Sequence, residues 1–219
     1  MYRICIAALM TVMICGPGCE PSAQERFEAT EKLLSAWDKN IKGSMADYIR
    51  VLIGEGADVN ARNRDGGTPL MAAARHSTIP EIVTLLIEKG ADVNAKDKQD
   101  STPLMYAARY SSTPEIVTLL VEKGAEVNPR NIAGSTPLMF AALKTPEIVT
   151  LLIEAGADVN ARTLTGWTPL MYASSPEVVT LLIEAGADVN AKNDGGITPP
   201  GWAKNPEIIK LLKAAGAKE

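Results

Sequence analysis

Apolar residues recur along this chain with a helical period, in short segments that begin at proline and end at glycine. Between Pro80 and Gly90 the apolar set is Ile82, Val83, Leu85, Leu86 and Ile87. The polar residues of the same segment, Glu81, Thr84 and Glu88, fall on the opposite side of a helix with 3.6 residues per turn. The pattern predicts a short amphipathic helix with one buried face. The next copy places Leu119 in the same stripe, so Leu119 is expected to lie in the core.

The segment is part of a repeat. Gly-Ala-Asp/Glu-Val-Asn begins at Gly56, Gly90, Gly124, Gly156 and Gly186, and a shortened Gly-Ala lies at Gly216. Thr-Pro follows each full copy after 12 residues, at Thr68, Thr102, Thr136, Thr168 and Thr198. Pro-Glu precedes each next glycine by 10 residues, at Pro80, Pro114, Pro146, Pro176 and Pro206. Intervals of 34 to 30 residues are typical of solenoid proteins.

Two helices are predicted in each unit. Threonine before proline is a favourable N-cap, and proline is favourable at the first helical position. The second helix has its own capping residues, Thr113, Thr145, Ser175 and Asn205, whereas Ile79 cannot cap. A glycine in the left-handed region ends the second helix. Because the two prolines of a unit move from 11 to 7 residues apart, the first helix is expected to shorten towards the C-terminus.

The stretch TPLMYAARYSSTPEIVTLLVEKGAEVN resembles an ankyrin repeat, and the resemblance extends over about residues 45–219. It implies an all-α solenoid of about six helix-pair units joined by β-hairpin-like loops. Members of this family usually bind other proteins through the loop tips and the adjoining concave surface of the first helices. The family has histidine after Thr-Pro-Leu. This chain has methionine there instead, and these methionines are expected to be buried: Met71, Met105, Met139 and Met171.

These repeats divide the chain into a signal peptide (1–18), a short linker (19–24), an N-terminal capping repeat (25–58), four ankyrin repeats (59–92, 93–126, 127–158 and 159–188) and a C-terminal capping repeat (189–219). The N-terminal cap carries Phe27, Leu33, Leu34 and Trp37 in a helical pattern. Pro200-Gly201 replaces Leu-Met in the last unit, which predicts a first helix of a single turn there.

The first residues are typical of an export signal. Arg3 precedes an apolar run at 4–15, which is shorter than the roughly 20 residues needed to span a bilayer. Gly18-Cys19 resembles the end of a bacterial lipobox, although Gly16 and Pro17 depart from its usual pattern. We therefore expect lipidation of Cys19, with simple secretion or a retained segment as alternatives. All three cysteines lie in this leader, so disulfides and thiol chemistry are not expected in the folded body.

Composition and charge argue against nucleic-acid binding, catalysis and metal binding. The formal charge is −4, and the basic residues alternate with acidic ones along the chain, so no cationic stripe for nucleic acid is visible. His76 is the single histidine, and no nucleophile–base pair, metal cluster or cofactor motif accompanies it. One acidic residue per unit, at Asp58, Asp92, Glu126, Asp158 and Asp188, is expected to stabilise a turn rather than bind an ion. The interpretation is a non-catalytic, monomeric protein without metal or cofactor.

The loop tips are the best candidates for partner binding. Their sequences are RNRDGG, KDKQDS, RNIAGS, RTLTGW and KNDGGI. The later tips carry the apolar residues Ile132, Leu164, Trp167 and Ile197, and an exposed tryptophan among aliphatic residues is typical of an interface hot spot. Alternatively, these side chains fold back onto neighbouring loops. The remaining candidates are polar residues of the early tips and the first helices: Arg64, Lys98, Gln99, Arg109 and Tyr110.

Aromatic residues occupy one position of successive first helices: Tyr106, Phe140, Tyr172 and Trp202. We interpret them as packing between stacked helices with an exposed edge. Together these features predict an exported and lipid-anchored scaffold of the bacterial cell envelope that binds a protein partner. A secreted protein that acts on a foreign or host cell is the alternative, and an enzyme is a remote one.

Overall fold

The computed structural model describes residues 20–38 and 44–218, and these form twelve α-helices and one 3-10 turn, without a β-strand. The N-terminal unit contains α1 (Ala23–Leu34), the 3-10 turn (Ala36–Asp38) and α2 (Met45–Gly54). The first helices of the next five units are α3 (Pro69–His76), α5 (Pro103–Tyr110), α7 (Pro137–Ala141), α9 (Pro169–Tyr172) and α11 (Pro199–Trp202). Their second helices are α4 (Pro80–Glu88), α6 (Pro114–Glu122), α8 (Pro146–Glu154), α10 (Pro176–Glu184) and α12 (Pro206–Ala214).

The helices stack in two layers. Each first helix contacts the first helix of the next unit, from α3 through α11, and each second helix contacts the next second helix, from α4 through α12. The N-terminal unit continues both layers, because α1 contacts α3 and α2 contacts α4. The predicted solenoid of six helix pairs is therefore confirmed. The predicted signal peptide and Cys19 lie outside the described residues.

One hydrophobic core runs through the whole stack, from Ala29 to Leu212. Each second helix contributes the same three buried positions, which are Ile82, Val83 and Leu86 in the second unit. Leu119, expected in the core, is only half-buried, whereas its neighbour Leu120 is fully buried. The four methionines that replace the family's histidine are buried as expected. Aliphatic residues, alanine and methionine thus fill the space between layers.

Proline and glycine set the helix boundaries as predicted. Every first helix of the repeats has threonine at the N-cap and proline at the first position. The glycine after each second helix has a φ of 85–90°, in the left-handed region that glycine adopts without strain. The first helices shorten from eight residues in α3 to four in α9, which confirms the expectation from proline spacing.

The capping hydrogen bonds agree only in part with the sequence expectation. Thr113 and Thr145 occupy N-cap positions but make no side-chain capping bond, and their φ angles of −123° and −125° match the −121° of Ile79. The backbone therefore takes this conformation with or without a hydroxyl. The hydroxyls of Thr136 and Thr168 are buried and have no partner among the described residues. In α7 and α9 the amide of the methionine at N3 donates to the threonine carbonyl oxygen instead.

The ends of the stack differ from its interior. Phe27, part of the helical pattern of the N-terminal cap, is 62% exposed, and none of the described residues forms a further unit on the outer face of α1. Leu33 and Ala29 bury the inner face of the same helix. At the other end α11 is a single turn, as Pro200-Gly201 predicts. None of the helices in the described ranges has the length and apolarity that a bilayer-crossing helix requires.

Candidate interaction surface

Five loops project between the units, and we call them fingers: residues 62–67, 96–101, 130–135, 162–167 and 192–197. Each finger closes with a backbone hydrogen bond between its second and sixth residues, such as the Asn131 amide to the Ser135 carbonyl oxygen at 3.2 Å. The Asn131 Oδ1 also accepts from the amides of Ala133 and Ser135. Gly134 takes the left-handed conformation at the turn, with a φ of 75°. A polar side chain therefore shapes each loop, together with a left-handed residue that is glycine in four fingers and Asp100, with a φ of 57°, in the second.

Successive fingers are joined to one another. The amide of Ile132 donates to the Gln99 carbonyl oxygen, and the amide of Leu164 donates to that of Ala133, both at 3.0 Å. The same bond links the first finger to the second and the fourth to the fifth. The Arg130 guanidinium adds a bond to the Arg162 carbonyl oxygen at 2.6 Å. The fingers thus form one continuous, hydrogen-bonded edge of the solenoid.

The structure divides the predicted apolar tip residues into two groups. Ile132 and Leu164 share one position at the outer turn and are 54% and 74% exposed. The polar candidates Arg64, Lys98 and Gln99 are exposed on the earlier fingers. Trp167 and Ile197 share the sixth finger position, just before the threonine cap of the first helix, and both are half-buried.

Trp167 is therefore not the exposed tip residue that the hot-spot interpretation required. Its ring lies 5.8 Å from that of Tyr172 and 4.7 Å from that of Trp202, with an edge-to-face angle of 84° in the second pair. The alternative, in which the side chain folds back onto neighbouring loops, agrees with the half-buried position of the ring but not with its contacts. It folds against first helices rather than against a loop because the sixth finger position directly precedes α9.

These rings line an open pocket of about 470 Å³, which we call the aromatic pocket. Its lining residues are Leu143, Trp167, Met171, Tyr172, Ala173, Ser174 and Trp202. The Ser174 hydroxyl donates to the Leu143 carbonyl oxygen at 2.7 Å, and this bond ties together the ends of two neighbouring first helices. The pocket exists because α9 and α11 have only four residues each. No single residue pattern predicts it, since it requires three units.

The predicted residues Arg109 and Tyr110 lie together at the end of α5. The Arg75 guanidinium of the preceding unit lies 4.5 Å from the centre of the Tyr110 ring, and that of Arg109 lies 5.1 Å away. The Arg109 group is also 5.3 Å from the centre of the Phe140 ring in the next unit. Three successive first helices therefore share one stacked, cationic and aromatic surface. The lone histidine, His76, is exposed at the last residue of α3.

A further set of residues, the asparagine that follows valine in each unit, holds neighbouring units together. The side chain of Asn60 donates to the Gly90 carbonyl oxygen and accepts from the Asp92 amide, and both groups belong to the following unit. The same two bonds recur at Asn94, Asn128, Asn160 and Asn190. Exact recurrence of asparagine after valine in every unit was the available signal.

Four of the repeated acidic residues stabilise turns, as expected. Asp58, Asp92, Asp158 and Asp188 each accept a hydrogen bond from the amide two residues further on. Within residues 20–38 and 44–218, no group of three or more His, Cys, Asp or Glu side chains is arranged to hold a metal ion.

Comparison with known proteins agrees with this architecture. The family profile described as Ankyrin repeats (3 copies) matches residues 36–131 and 128–193, which is most of the chain. The chain belongs to the ankyrin repeat family. No curated protein matches it. Ankyrin repeats generally mediate binding to protein partners, and the family is typically non-catalytic.

Proposed function

We propose that this protein is a non-catalytic scaffold that binds a protein partner through its fingers and the adjoining first-helix surface. The observation that carries the proposal is the pair of exposed aliphatic side chains, Ile132 and Leu164, at the same position of two fingers that are hydrogen-bonded to each other. These two exposed side chains do not stabilise the fold, because neither is part of the hydrophobic core. A partner that covers them gains apolar burial on a surface that is already ordered.

The leader adds a location to the proposal. The apolar run before Cys19 and the Gly18-Cys19 pair support export and attachment of lipid to Cys19, on the bacterial cell envelope. A scaffold tethered in this way would meet partners in the envelope. We further propose that it acts as a monomer, with no metal, cofactor or nucleic acid.

Substitution at the finger tips tests the binding proposal. A double change of Ile132→Ser and Leu164→Ser is expected to abolish photo-crosslinking of a partner in the envelope fraction, from a crosslinker placed at Gln99. The control is Val51→Ser, which changes a 44% exposed apolar residue on α2, away from the fingers. Equal crosslinking yields in both variants and the unmodified protein would count against binding at the tips.

The mature N-terminus tests the location. Intact-mass analysis of the protein isolated from its own cells is expected to show loss of residues 1–18 and addition of lipid at Cys19. A mature protein whose mass shows no lipid would indicate secretion instead. The Cys19→Ser variant is the control, and in that case it should be processed in the same way as the unmodified protein.

A further inference from the structure

Charges that alternate along the chain are separated in the fold. No first helix from α3 to α11 contains aspartate or glutamate. These helices and the residues that follow them carry only cations or neutral groups, and the charged members are Arg75, Arg109, Lys144 and Lys204. The second helices carry exposed glutamates instead: Glu81, Glu88, Glu115, Glu122, Glu147, Glu154, Glu177, Glu184 and Glu207. From α3 to α11 the first-helix layer is therefore basic, whereas the second helices α4, α6, α8 and α10 carry only acidic charges.

Within residues 20–38 and 44–218, no carboxylate forms an ion pair with Arg75, Arg109, Lys144 or Lys204. In the part of the chain that the structure describes, the one ion pair within 4.0 Å joins Arg50 to Asp47, both on α2. Arg75 and Arg109 stack on the Tyr110 ring, which holds their guanidinium groups in place and leaves their N–H donors without a carboxylate. Ordered guanidinium groups of this kind are suited to bidentate binding of an external carboxylate.

The fingers extend the same charge. Their first residues are all basic and exposed: Arg62, Lys96, Arg130, Arg162 and Lys192. Three of the four finger carboxylates, those of Asp65, Asp100 and Asp194, are exposed near the outer turns. The fourth, Asp97, is buried and accepts the hydroxyl hydrogen of Tyr106. The fingers therefore add a row of cations, one per unit.

An apolar site follows the cations on the first-helix layer. Leu143 occupies the position in the fourth unit that Arg75 and Arg109 occupy in the second and third. Its side chain lines the aromatic pocket. Leu143 is 40% exposed and Trp202 is 48% exposed, so the pocket has uncovered apolar walls. Arg109 contacts Phe140, which connects the cationic section to the pocket through α7. The two sections form one surface.

We infer that this surface binds a protein segment that presents aspartate or glutamate to Arg75 and Arg109 and inserts one aromatic or branched aliphatic side chain into the aromatic pocket. The inference rests on the proposed function and specifies the chemistry of the partner. The third and fifth units are two helix spacings apart, or about 16–20 Å, which equals about five or six residues of extended chain. The ligand therefore carries its acidic residues at that separation from the apolar one.

A uniformly charged polyanion fits this surface less well. The exposed carboxylates of the fingers and the net charge of −4 disfavour nucleic acid, and the pocket would remain unfilled. A short acidic segment with an apolar anchor satisfies both sections. A single-stranded oligonucleotide is accordingly included in the test as a competing ligand.

Matched variants test the acidic half. The probe is a labelled synthetic peptide with three glutamates, a five-residue Gly-Ser spacer and a Trp-Leu pair. Arg75→Gln with Arg109→Gln is expected to weaken its binding by roughly tenfold or more and to reduce the salt dependence of the dissociation constant. The control is Lys89→Gln with Lys123→Gln, which removes the same charge from the same two units at the ends of α4 and α6. Equal losses in the two double variants would overturn the inference, because general charge would then explain them.

The apolar half has its own control. Replacing the Trp-Leu pair of the probe with Ser-Ser is expected to weaken binding to the unmodified protein, and Leu143→Ser to reduce the difference between the two peptides. A probe that binds equally with either pair would refute insertion into the pocket. Tighter binding of an oligonucleotide of random sequence than of the peptide would overturn the inference in favour of a polyanion site.

A random peptide library displayed against the purified protein separates failure of this inference from failure of the proposed function. Enriched peptides with acidic residues five or six positions from an aromatic or branched aliphatic residue support both. Enriched peptides without acidic residues overturn the inference and leave the scaffold function in place. If no peptide is enriched and no partner crosslinks at the fingers, the proposed function fails and the inference fails with it.

Discussion

The Tyr106 hydroxyl donates a hydrogen bond of 2.7 Å to Oδ2 of Asp97, and this bond joins helix α5 to the finger that precedes it. The other carboxylate oxygen of Asp97 accepts from the amides of Gln99 and Ser101 and shapes the loop. One carboxylate therefore connects the finger turn to the first-helix surface. The two parts of the candidate interface are held in a fixed relation in this unit.

Tyr106 should make stability depend on alkaline pH. Burial, the hydrogen bond to Asp97 and the charge of Asp97 raise the pKa of Tyr106 from 10.0 to about 12. Because the folded-state pKa is raised, the contribution to stability is complete below pH 10 and is lost as the pH rises through about 12. Urea unfolding between pH 9 and pH 11.5 is expected to show falling stability, with a smaller slope in Tyr106→Phe.

The Phe variant is also expected to lose about 1.5 kcal/mol near neutral pH, because Asp97 loses a donor. Burial also raises the pKa of Tyr48 and Tyr172, so part of the slope should survive in every variant. Identical slopes in the Tyr106 variant and the unmodified protein would show that the Asp97 contact does not control this titration.

The asparagine after each valine should couple neighbouring units. Asn128 donates to the Gly156 carbonyl oxygen at 2.9 Å and accepts from the Asp158 amide at 2.8 Å. Asn128→Ala removes both bonds at the centre of the stack, and we expect a loss of about 1–3 kcal/mol in unfolding free energy and a broader transition. Asn190→Ala, at the last such position, is expected to increase hydrogen exchange only in α12. A transition that stays equally cooperative in the central variant would contradict the coupling role.

Two glycines with the same φ but different surroundings allow the cost of a steric contact to be measured separately from the cost of backbone strain. Gly134 and Gly196 both have a φ of 75°, so alanine pays the same left-handed penalty at each. A Cβ on Gly134 would lie 2.8 Å from the Leu164 amide nitrogen, whereas a Cβ on Gly196 has nothing within 4 Å. We expect Gly134→Ala to be more destabilising than Gly196→Ala by about 1–3 kcal/mol in chemical unfolding. Equal losses would indicate that the neighbouring finger moves away freely.

Sequence alone predicts the architecture because its determinants are local and repeated. Proline fixes φ at each helix start and glycine permits the left-handed end, so five copies in phase place ten helices without knowledge of the packing. The buried face of each helix is also set by the local sequence. Leu119 and Leu120 are an exception, because a 3.6-residue period does not decide which of two adjacent leucines is the more buried. The missing capping bonds of Thr136 and Thr168 do not follow from helix length, because Thr198 accepts a capping bond from the Gly201 amide in α11, which is as short as α9.

The candidate surface is less predictable because it depends on contacts between units. Ile132 and Trp167 look alike as apolar finger residues in sequence, yet one is at the outer turn and the other lies against Trp202 from the following unit. The charge pattern is hidden for the same reason. Basic and acidic residues alternate every few positions along the chain, and only the two-layer stack gathers Arg75 with Arg109 and places Glu81 and Glu115 on the other layer.

Mutation should show that Leu120, and not Leu119, is the core residue of α6. Leu120→Ala is expected to lower the unfolding free energy by about 2–5 kcal/mol, because it leaves a cavity between α6 and its neighbours. Leu119→Ala, one residue earlier and only half-buried, should cost about half as much in the same denaturant titration. Equal effects of the two substitutions would contradict the register of α6.

Trp167 and Leu164, three residues apart on one finger, should differ in their effect on stability. Trp167 contacts Tyr172 and Trp202, so Trp167→Ala is expected to lower unfolding free energy by about 1–3 kcal/mol and to increase hydrogen exchange in α9 and α11. Leu164 is 74% exposed, and Leu164→Ala should change stability by less than about 0.5 kcal/mol while weakening partner binding. A stable Trp167 variant with normal exchange would mean that the aromatic cluster does not hold the last units together, because its removal would then leave their packing unchanged.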